Sequence, residues 1–318
     1  MAKRKAPAAF TRAVTAHRER LEKVLTAQNT RTMSNLYEEA QGGLLARMRK
    51  VVRAGRGDTF TAHQQRVMLV QLRQGQAQIA QRMAGKMGEL SLKAQKVSLN
   101  GLVDDVARLS KAFTGSEVVL PVAEAATFRG VIQGRHTSLL VQHDASMNRY
   151  GGHLVQQVEK RLSTAILTQD PTYEVMDEIA GTIGKEWYWG ERIVRTETAR
   201  AYAATARDGI EESSKDIPEL MQQWQEHCDA SGAPLDDRVA VDSLAMHGQC
   251  APAGGVFTMP PTAPFPDKKG NTEVPDSLVG LQWEYPPNRP NDRAVISPWM
   301  PDWGVPGWIW RGGRRVPL

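Results

Sequence analysis

Cysteine is scarce in this chain: Cys228 and Cys250 are the only two in 318 residues. They form no CxxC motif, so neither a disulfide framework nor a cysteine zinc site is expected. Reduced thiols in a cytosolic protein are the default reading, and a bridge between the two is the alternative. No run of 18 apolar residues occurs, which excludes a membrane-spanning helix. The basic opening MAKRKAPAAFTRAVTAHRER leads into no apolar segment and does not read as a secretory signal. Also missing are a nucleophile elbow, an HExxH motif, a Walker loop and a dinucleotide fingerprint. No catalytic residue, metal-ligand set or cofactor site is therefore assigned.

Positive charge is present but unevenly spread. Residues 1–115 hold 21 Lys and Arg against 8 Asp and Glu, and the rest hold 19 against 27. A basic N-terminal region on a slightly acidic body suits contact with a polyanion. A solvated helical surface accounts for the same numbers. Lys3, Arg4, Lys5, Arg47, Arg49, Lys50, Arg53 and Arg56 are the candidate DNA-binding residues. They lack interleaved aromatics, which points to sequence-independent phosphate contact over base stacking. An acidic surface on a partner protein would fit them too.

Helical periodicity dominates the first two thirds. A helix is expected from about Phe10 to Arg53, broken near Gly42-Gly43, with Leu44, Leu45, Met48, Val51 and Val52 facing inward. A second helix follows from about Thr61 to Lys111, capped by Asp58 or Thr59. Leu69, Leu72, Gln76, Ile79 and Met83 keep 3-4 spacing along it, as do Met87, Leu90, Ala94 and Val97. The methionines read as core filler. SEVVLPVAEAA is a short strand or linker. Residues 139–168 read as a helix interrupted at Gly151-Gly152, and Asp170-Pro171 opens another that Gly184 closes.

The alanine-rich stretch ERIVRTETARAYAATARDGI makes a further helix. Arg195, Ala199, Tyr202, Ala206 and Ile210 share one of its faces, while Glu197 points away and can reach Arg200 as a surface pair. Arg195 is thus expected to find its acceptor elsewhere in the fold. After Trp224 prolines crowd the chain, and GGVFTM with LVGLQWEY suggests a small antiparallel sheet. Residues 299–318 read as an extended tail, with Trp299, Trp303, Trp308 and Trp310 as partner-docking candidates. The expected fold is α+β and mainly helical. It comprises a basic helical arm or hairpin (1–115), a central helical unit (116–222), an irregular α+β cap (223–298) and the Trp-rich tail (299–318).

Three segments occur in a recognisable order: RIVRTETARAYAATARDGI, WQEHCDASGAPLDDRVAVDSLAMHGQ and WEYPPNRPNDRAVISP. Together they resemble the phage head-morphogenesis family, the minor head proteins of the Mu F type, over about residues 140–300. Arg195, Thr196 and Glu197 match the family's helix motif. Trp224, Asp237, Arg238, Val239 and Gly248 match its second segment, and Pro286, Pro287, Pro290, Asn291 and Arg293 its third. Ser243 and Arg289 replace frequent histidines, His247 an aspartate, and Asp292 and Ala294 two cysteines. Ser, Arg and Ala cannot supply a zinc site, so the motif's retained role is expected to be structural. Arg195, Arg238 and Arg293 would each lock a loop, with Asp237 and Asp292 as acceptors.

The resemblance implies a non-enzymatic minor head protein of the virion, placed in the head interior or portal region after assembly in the host cytoplasm. Its implied partners are the portal protein, the major capsid protein and non-specific double-stranded DNA, with no membrane, small-molecule substrate, cofactor or metal. The alternative is a toxin-like transferase or hydrolase on the same domain, with Glu197, Asp237, His247 and Cys228 as its candidate groups. A nucleoid-type DNA-binding protein is a third reading, disfavoured because most of the chain is not basic.

Overall fold

Helices form wherever the 3-4 apolar spacing persists, and strands begin where proline and glycine break it. The computed structural model describes residues 8–25, 27–54, 61–114, 126–185, 187–229, 233–235, 239–289, 292 and 294–318. The fold is mainly helical α+β, as the pattern predicts. The helices run in the order α1 (Ala8–Val24), α2 (Ala27–Ala54), α3 (Ala62–Thr114), α4 (Ala126–Thr168), α5 (Thr172–Lys185) and α6 (Trp187–Ser213). There follow β1 (Met221–Gln225), the short α7 (Val241–Met246), β2 (Cys250–Pro252), β3 (Phe257–Thr258), β4 (Gln282–Trp283) and β5 (Val295–Trp299). A 3-10 turn (Pro301–Trp303) and two last strands, β6 (Trp308–Arg311) and β7 (Arg314–Pro317), complete the chain.

Several helix ends differ from expectation. The first break falls after Val24, and α2 runs unbroken through Gly42-Gly43. An exposed helical glycine costs only ~1 kcal/mol, which the buried Leu44 and Met48 nearby outweigh. α4 likewise passes through Gly151-Gly152 without interruption. Thr61 caps α3, and the expected caps Asp58 and Thr59 lie outside the described residues. Its hydroxyl accepts the Gln64 N–H at 3.2 Å, and Gln64 Oε1 accepts the Thr61 N–H at 2.9 Å. That reciprocal pair is a capping box.

By contacts the chain divides into two units gathered from separated stretches, whereas the sequence pattern suggests four consecutive segments. One unit comprises Thr26–Leu90 and Ser138–Arg195; the other comprises Met1–Leu25, Ser91–Thr137 and Thr196–Leu318. The first has a core of regularly spaced apolar side chains. Met33, Tyr37, Leu44 and Met48 of α2 meet Met68, Leu72, Ile79, Met83 and Met87 of α3. Leu154, Val158 and Leu162 of α4 and Val175, Ile179 and Ile183 of α5 complete it. The Tyr37 hydroxyl is satisfied by donating to the Ile183 carbonyl at 2.9 Å.

The second unit carries the strands. β2, β1 and β5 form a three-stranded antiparallel sheet with β1 in the middle. β3 pairs with β4, which joins the two segments expected to pair, and Phe257 lies opposite Trp283. Residues 299–318 are not an extended tail. β6 and β7 make a hairpin closed by Gly312-Gly313, both at positive φ (58° and 75°). A two-residue hairpin loop of this kind requires residues that tolerate the left-handed region. Trp299 and Trp303 are buried with Phe10, Val14 and Leu109 in this unit's own core. They are therefore not available as docking side chains.

The small residues of α6 serve helix packing within this unit. A Cβ at Gly209 would sit 2.6 Å from Leu102 Cδ2 and 2.9 Å from Leu99 Cδ1, both on α3. The Tyr202 hydroxyl donates to the His17 carbonyl of α1 at 3.1 Å, and the Ser98 hydroxyl of α3 donates to the Tyr202 carbonyl at 2.8 Å. Ala201, Ala203, Ala204 and Ala206 are buried, so α6 is enclosed on more than the one expected face. Glu197 pairs with Arg200 as its spacing predicts, but its side chain is only 7% exposed and the pair is not a surface one.

Candidate functional site

β1 carries the polar sequence QQWQ into the interior and leads directly to Glu226, which is 1% exposed. Trp224, on the strand, is fully enclosed and meets Phe257 edge-on at 5.3 Å. Its backbone exchanges hydrogen bonds with the turn after α7: the Trp224 N–H donates to Gln249 O at 2.9 Å, and the Gly248 N–H to Trp224 O at 2.8 Å. Gly248 has φ 78°, the left-handed conformation that this close return demands. These contacts bring α7 alongside the end of β1.

Three polar side chains then converge. The Ser243 hydroxyl of α7 lies in hydrogen-bond contact with Glu226 Oε2 and 3.1 Å from Asp292 Oδ1. Asp292 accepts the backbone N–H of Ala294 on Oδ1 at 3.0 Å and that of Asn288 on Oδ2 at 3.1 Å. Glu226 Oε1 accepts the His227 N–H at 2.8 Å. His247 Nδ1 accepts the Glu226 N–H at 3.1 Å, so that nitrogen is unprotonated and the neutral ring carries its proton on Nε2. Arg18 of α1 donates to the Glu226 carbonyl.

Burial in a low-dielectric interior disfavours every charged form here. It pushes Glu226 up to about 8, assisted by the charge of Asp292 and opposed by Ser243, the His227 N–H and Arg18. Burial likewise draws His247 down to about 4, with Arg18 acting in the same direction. The thiols of Cys228 and Cys250 are free and buried, and burial pushes both up, Cys250 to about 12. A thiol so shifted is a poor nucleophile.

A second buried polar group ties α1 to α3 in the same unit. Arg20 donates to both oxygens of Asp105, at 2.7 and 3.0 Å, and His17 Nδ1 is 3.7 Å from Asp105. Burial raises Asp105, but the nearby His17 and the two hydrogen bonds from Arg20 outweigh it and hold the carboxyl below its ordinary range. Burial dominates at His17 and draws it down.

The motif residues divide between the units. Trp224, Gly248, Pro286 and Pro287 lie in the same unit as the carboxyl cluster, and the Pro286–Pro287 peptide is cis. Ser243 and Asp292 are in direct contact. Arg195 falls in the other unit and forms an ion pair with Glu191 at 3.9 Å, one turn back on α6. Ser243, Asp292 and Glu226 join α7 to the segment before β5, while Arg238 and Arg293 of the expected arginine clamp lie outside the described residues. Asp292 is an acceptor as expected, but of a hydroxyl and backbone amides. Thr196 and Glu197 are both buried. Asp237, Arg238, Pro290, Asn291 and Arg293 lie outside the described residues, as do Lys3, Arg4, Lys5 and Arg56.

Arg47, Arg49, Lys50 and Arg53 are exposed along α2. Trp308 and Trp310 are half-buried in the last hairpin. Trp308 Nε1 donates to His247 O at 3.0 Å, and the Arg315 guanidinium stands 4.8 Å over its ring. Glu226, Arg18, His17 and Asp105 were not singled out from the sequence. His17 had a readable signal, for it occupies the apolar seam Phe10, Val14, His17, Leu21, Val24 of α1. Glu226 had none.

Among the described residues no cluster of three or more His, Cys, Asp or Glu is arranged to hold a metal ion. Nor is any described helix long and apolar enough to cross a membrane. No protein-family model, no curated protein and no solved structure matches the chain.

Proposed function

We propose that this chain is a non-enzymatic minor head protein of a phage virion, associated with the portal or the inner capsid and contacting packaged DNA. One observation carries the reading. Trp224, Ser243, Gly248 and Asp292, positions that the resemblance aligns with two separate motifs of the head-morphogenesis family, fall in one unit, where Ser243 and Asp292 meet in a buried polar joint and the Trp224–Gly248 hydrogen bond ties β1 to the turn after α7. The titratable groups there are enclosed and bonded to one another, which suits a fastening more than a reaction centre. The exposed cations of α2 supply a face for phosphate contact that needs no base readout.

The test is mass spectrometry of purified virions combined with capture by the portal protein. The chain is expected in the head fraction and in the portal eluate. Its absence from heads, with normal expression in the infected cell, would overturn the assignment. Turnover lost on Glu197→Gln, in a protein that stays folded, would favour the transferase or hydrolase alternative.

A further inference from the structure

Glu226 just after β1, Ser243 on α7 and Asp292 before β5 meet through a single hydroxyl group. Glu226 Oε2 and Asp292 Oδ1 are both hydrogen-bond neighbours of Ser243 Oγ. A serine hydroxyl has one proton and can donate to one acceptor at a time. With both carboxyls ionised, one contact would hold two oxygens and no proton, in an interior that screens like charges poorly. The arrangement closes when one carboxyl is protonated. Asp292 already accepts two backbone N–H groups, at 3.0 and 3.1 Å, and the hydroxyl makes a third donor, a set that suits an anion. Glu226 accepts one backbone N–H, on Oε1, and its Oε2 is left to carry the proton toward Ser243.

We propose that Glu226 keeps its proton in the folded protein at neutral pH, and that the chain Glu226–Ser243–Asp292 is an alkaline-sensitive latch holding β1, α7 and the segment before β5 together. The groups facing it come from every surrounding element: Arg18 from α1, Asp242, Ser243 and His247 from α7 and its cap, Asp292 and Arg289 from the segment before β5, and His227 and Cys228 just beyond it in sequence. Arg18 and Asp292 act on Glu226 in opposite directions, and His247 is neutral. Asp242 is paired with Arg289 at 3.5 Å. When the pH rises, the Glu226 O–H breaks and its proton passes to solvent. Two anions then face each other across Ser243.

The direction of the pH effect follows. A carboxyl that holds its proton more tightly in the fold than in the unfolded chain favours folding at low pH and loses that contribution as pH rises through its folded value. For Glu226 that value is about 8. His247, drawn down to about 4, acts oppositely but below its ordinary value of 6.5, and the raised thiols act above their ordinary value of 9.0. Burial raises Asp292 as well, so between pH 6.5 and 8 the titration is that of the Glu226–Asp292 pair, and the Glu226→Gln variant shows which member carries the proton.

Urea denaturation of the full chain across that interval tests the latch. The wild-type unfolding constant should rise by up to about tenfold per pH unit. Glu226→Gln, whose amide can still donate to Ser243, should match wild type at the lower end and remove most of the rise. An unchanged slope in the variant, or a flat wild-type profile, overturns the proposal. Should Glu226→Gln fail to fold, infrared difference spectra of wild type labelled with carboxyl-13C glutamate decide. A protonated glutamate band present at pH 7 and lost as the pH passes about 8 sustains the proposal, and absence of the band at pH 7 refutes it.

Discussion

The two units bury their helices by different chemistry. In the unit of α2, α5 and the adjoining parts of α3 and α4, the buried polar residues among those described are Gln64, Gln76, His143 and Thr172, with no acid or strong base. Its ion pairs, such as Arg73–Glu159 at 3.4 Å, stay toward solvent. The other unit encloses four carboxyls, Asp105, Glu197, Glu226 and Asp292. A periodic apolar stripe needs only shape and area to pack. A buried acid needs hydrogen-bond donors, and for Asp105, Glu226 and Asp292 some of those neighbours come from distant parts of the chain: Arg20 for Asp105 and Ser243 for the other two. Stability should accordingly depend on packing alone in the first unit, and on both packing and pH in the second.

The sharpest way to break this comparison is to empty the polar unit's apolar part. Trp303→Ala should cost about 3–5 kcal/mol by urea denaturation, and deleting residues 299–318 should leave that unit unfolded and protease-sensitive. A folded deletion mutant would return the tail to the role of an external docking segment. Next in size, Leu72→Ala in the apolar unit should cost about 3 kcal/mol, and by the same amount at pH 4 and pH 8. A marked pH dependence of that cost would erase the distinction drawn here.

Asp105→Asn should cost less, about 2 kcal/mol, because the Arg20 side chain opposite is still 18% exposed and screened. Its sign is the reverse of Glu226. A carboxyl held below its ordinary range stabilises the fold above that range and ceases to do so in acid. Wild type should therefore lose stability below about pH 4, and the variant less, as followed by circular dichroism during acid titration. The smallest stability effect belongs to α2. Replacing Arg47, Arg49, Lys50 and Arg53 together by Gln should change stability by less than about 1 kcal/mol. It should nevertheless weaken DNA retention and flatten its salt dependence in a filter-binding assay. Retention that does not respond would remove phosphate contact by this face.

Much of the helical architecture was legible. Leu69, Leu72, Ile79, Met83 and Leu90 are buried as their spacing along α3 implies, and the methionines are core residues. The β3–β4 pairing also followed from its flanking segments. Less legible was the last stretch, where proline and tryptophan suggested an extended tail. The Gly312-Gly313 hairpin signal was there to be read, but the burial of Trp299 and Trp303 depends on α1, nearly three hundred residues earlier. The Glu191–Arg195 ion pair, by contrast, has the i,i+4 spacing that a helical sequence makes legible.

By itself the sequence determined the helical class, the apolar seams, the exposed cationic face of α2 and the absence of common catalytic motifs, because these are local properties of spacing and composition. The tertiary structure decided which polar residues are enclosed together. Arg18, Glu226, Ser243 and Asp292 are separated by up to hundreds of positions, and no local pattern distinguishes them from their solvated neighbours. What sets their protonation is loss of water and the direction of a few hydrogen bonds, and both exist only once the chain has closed around them.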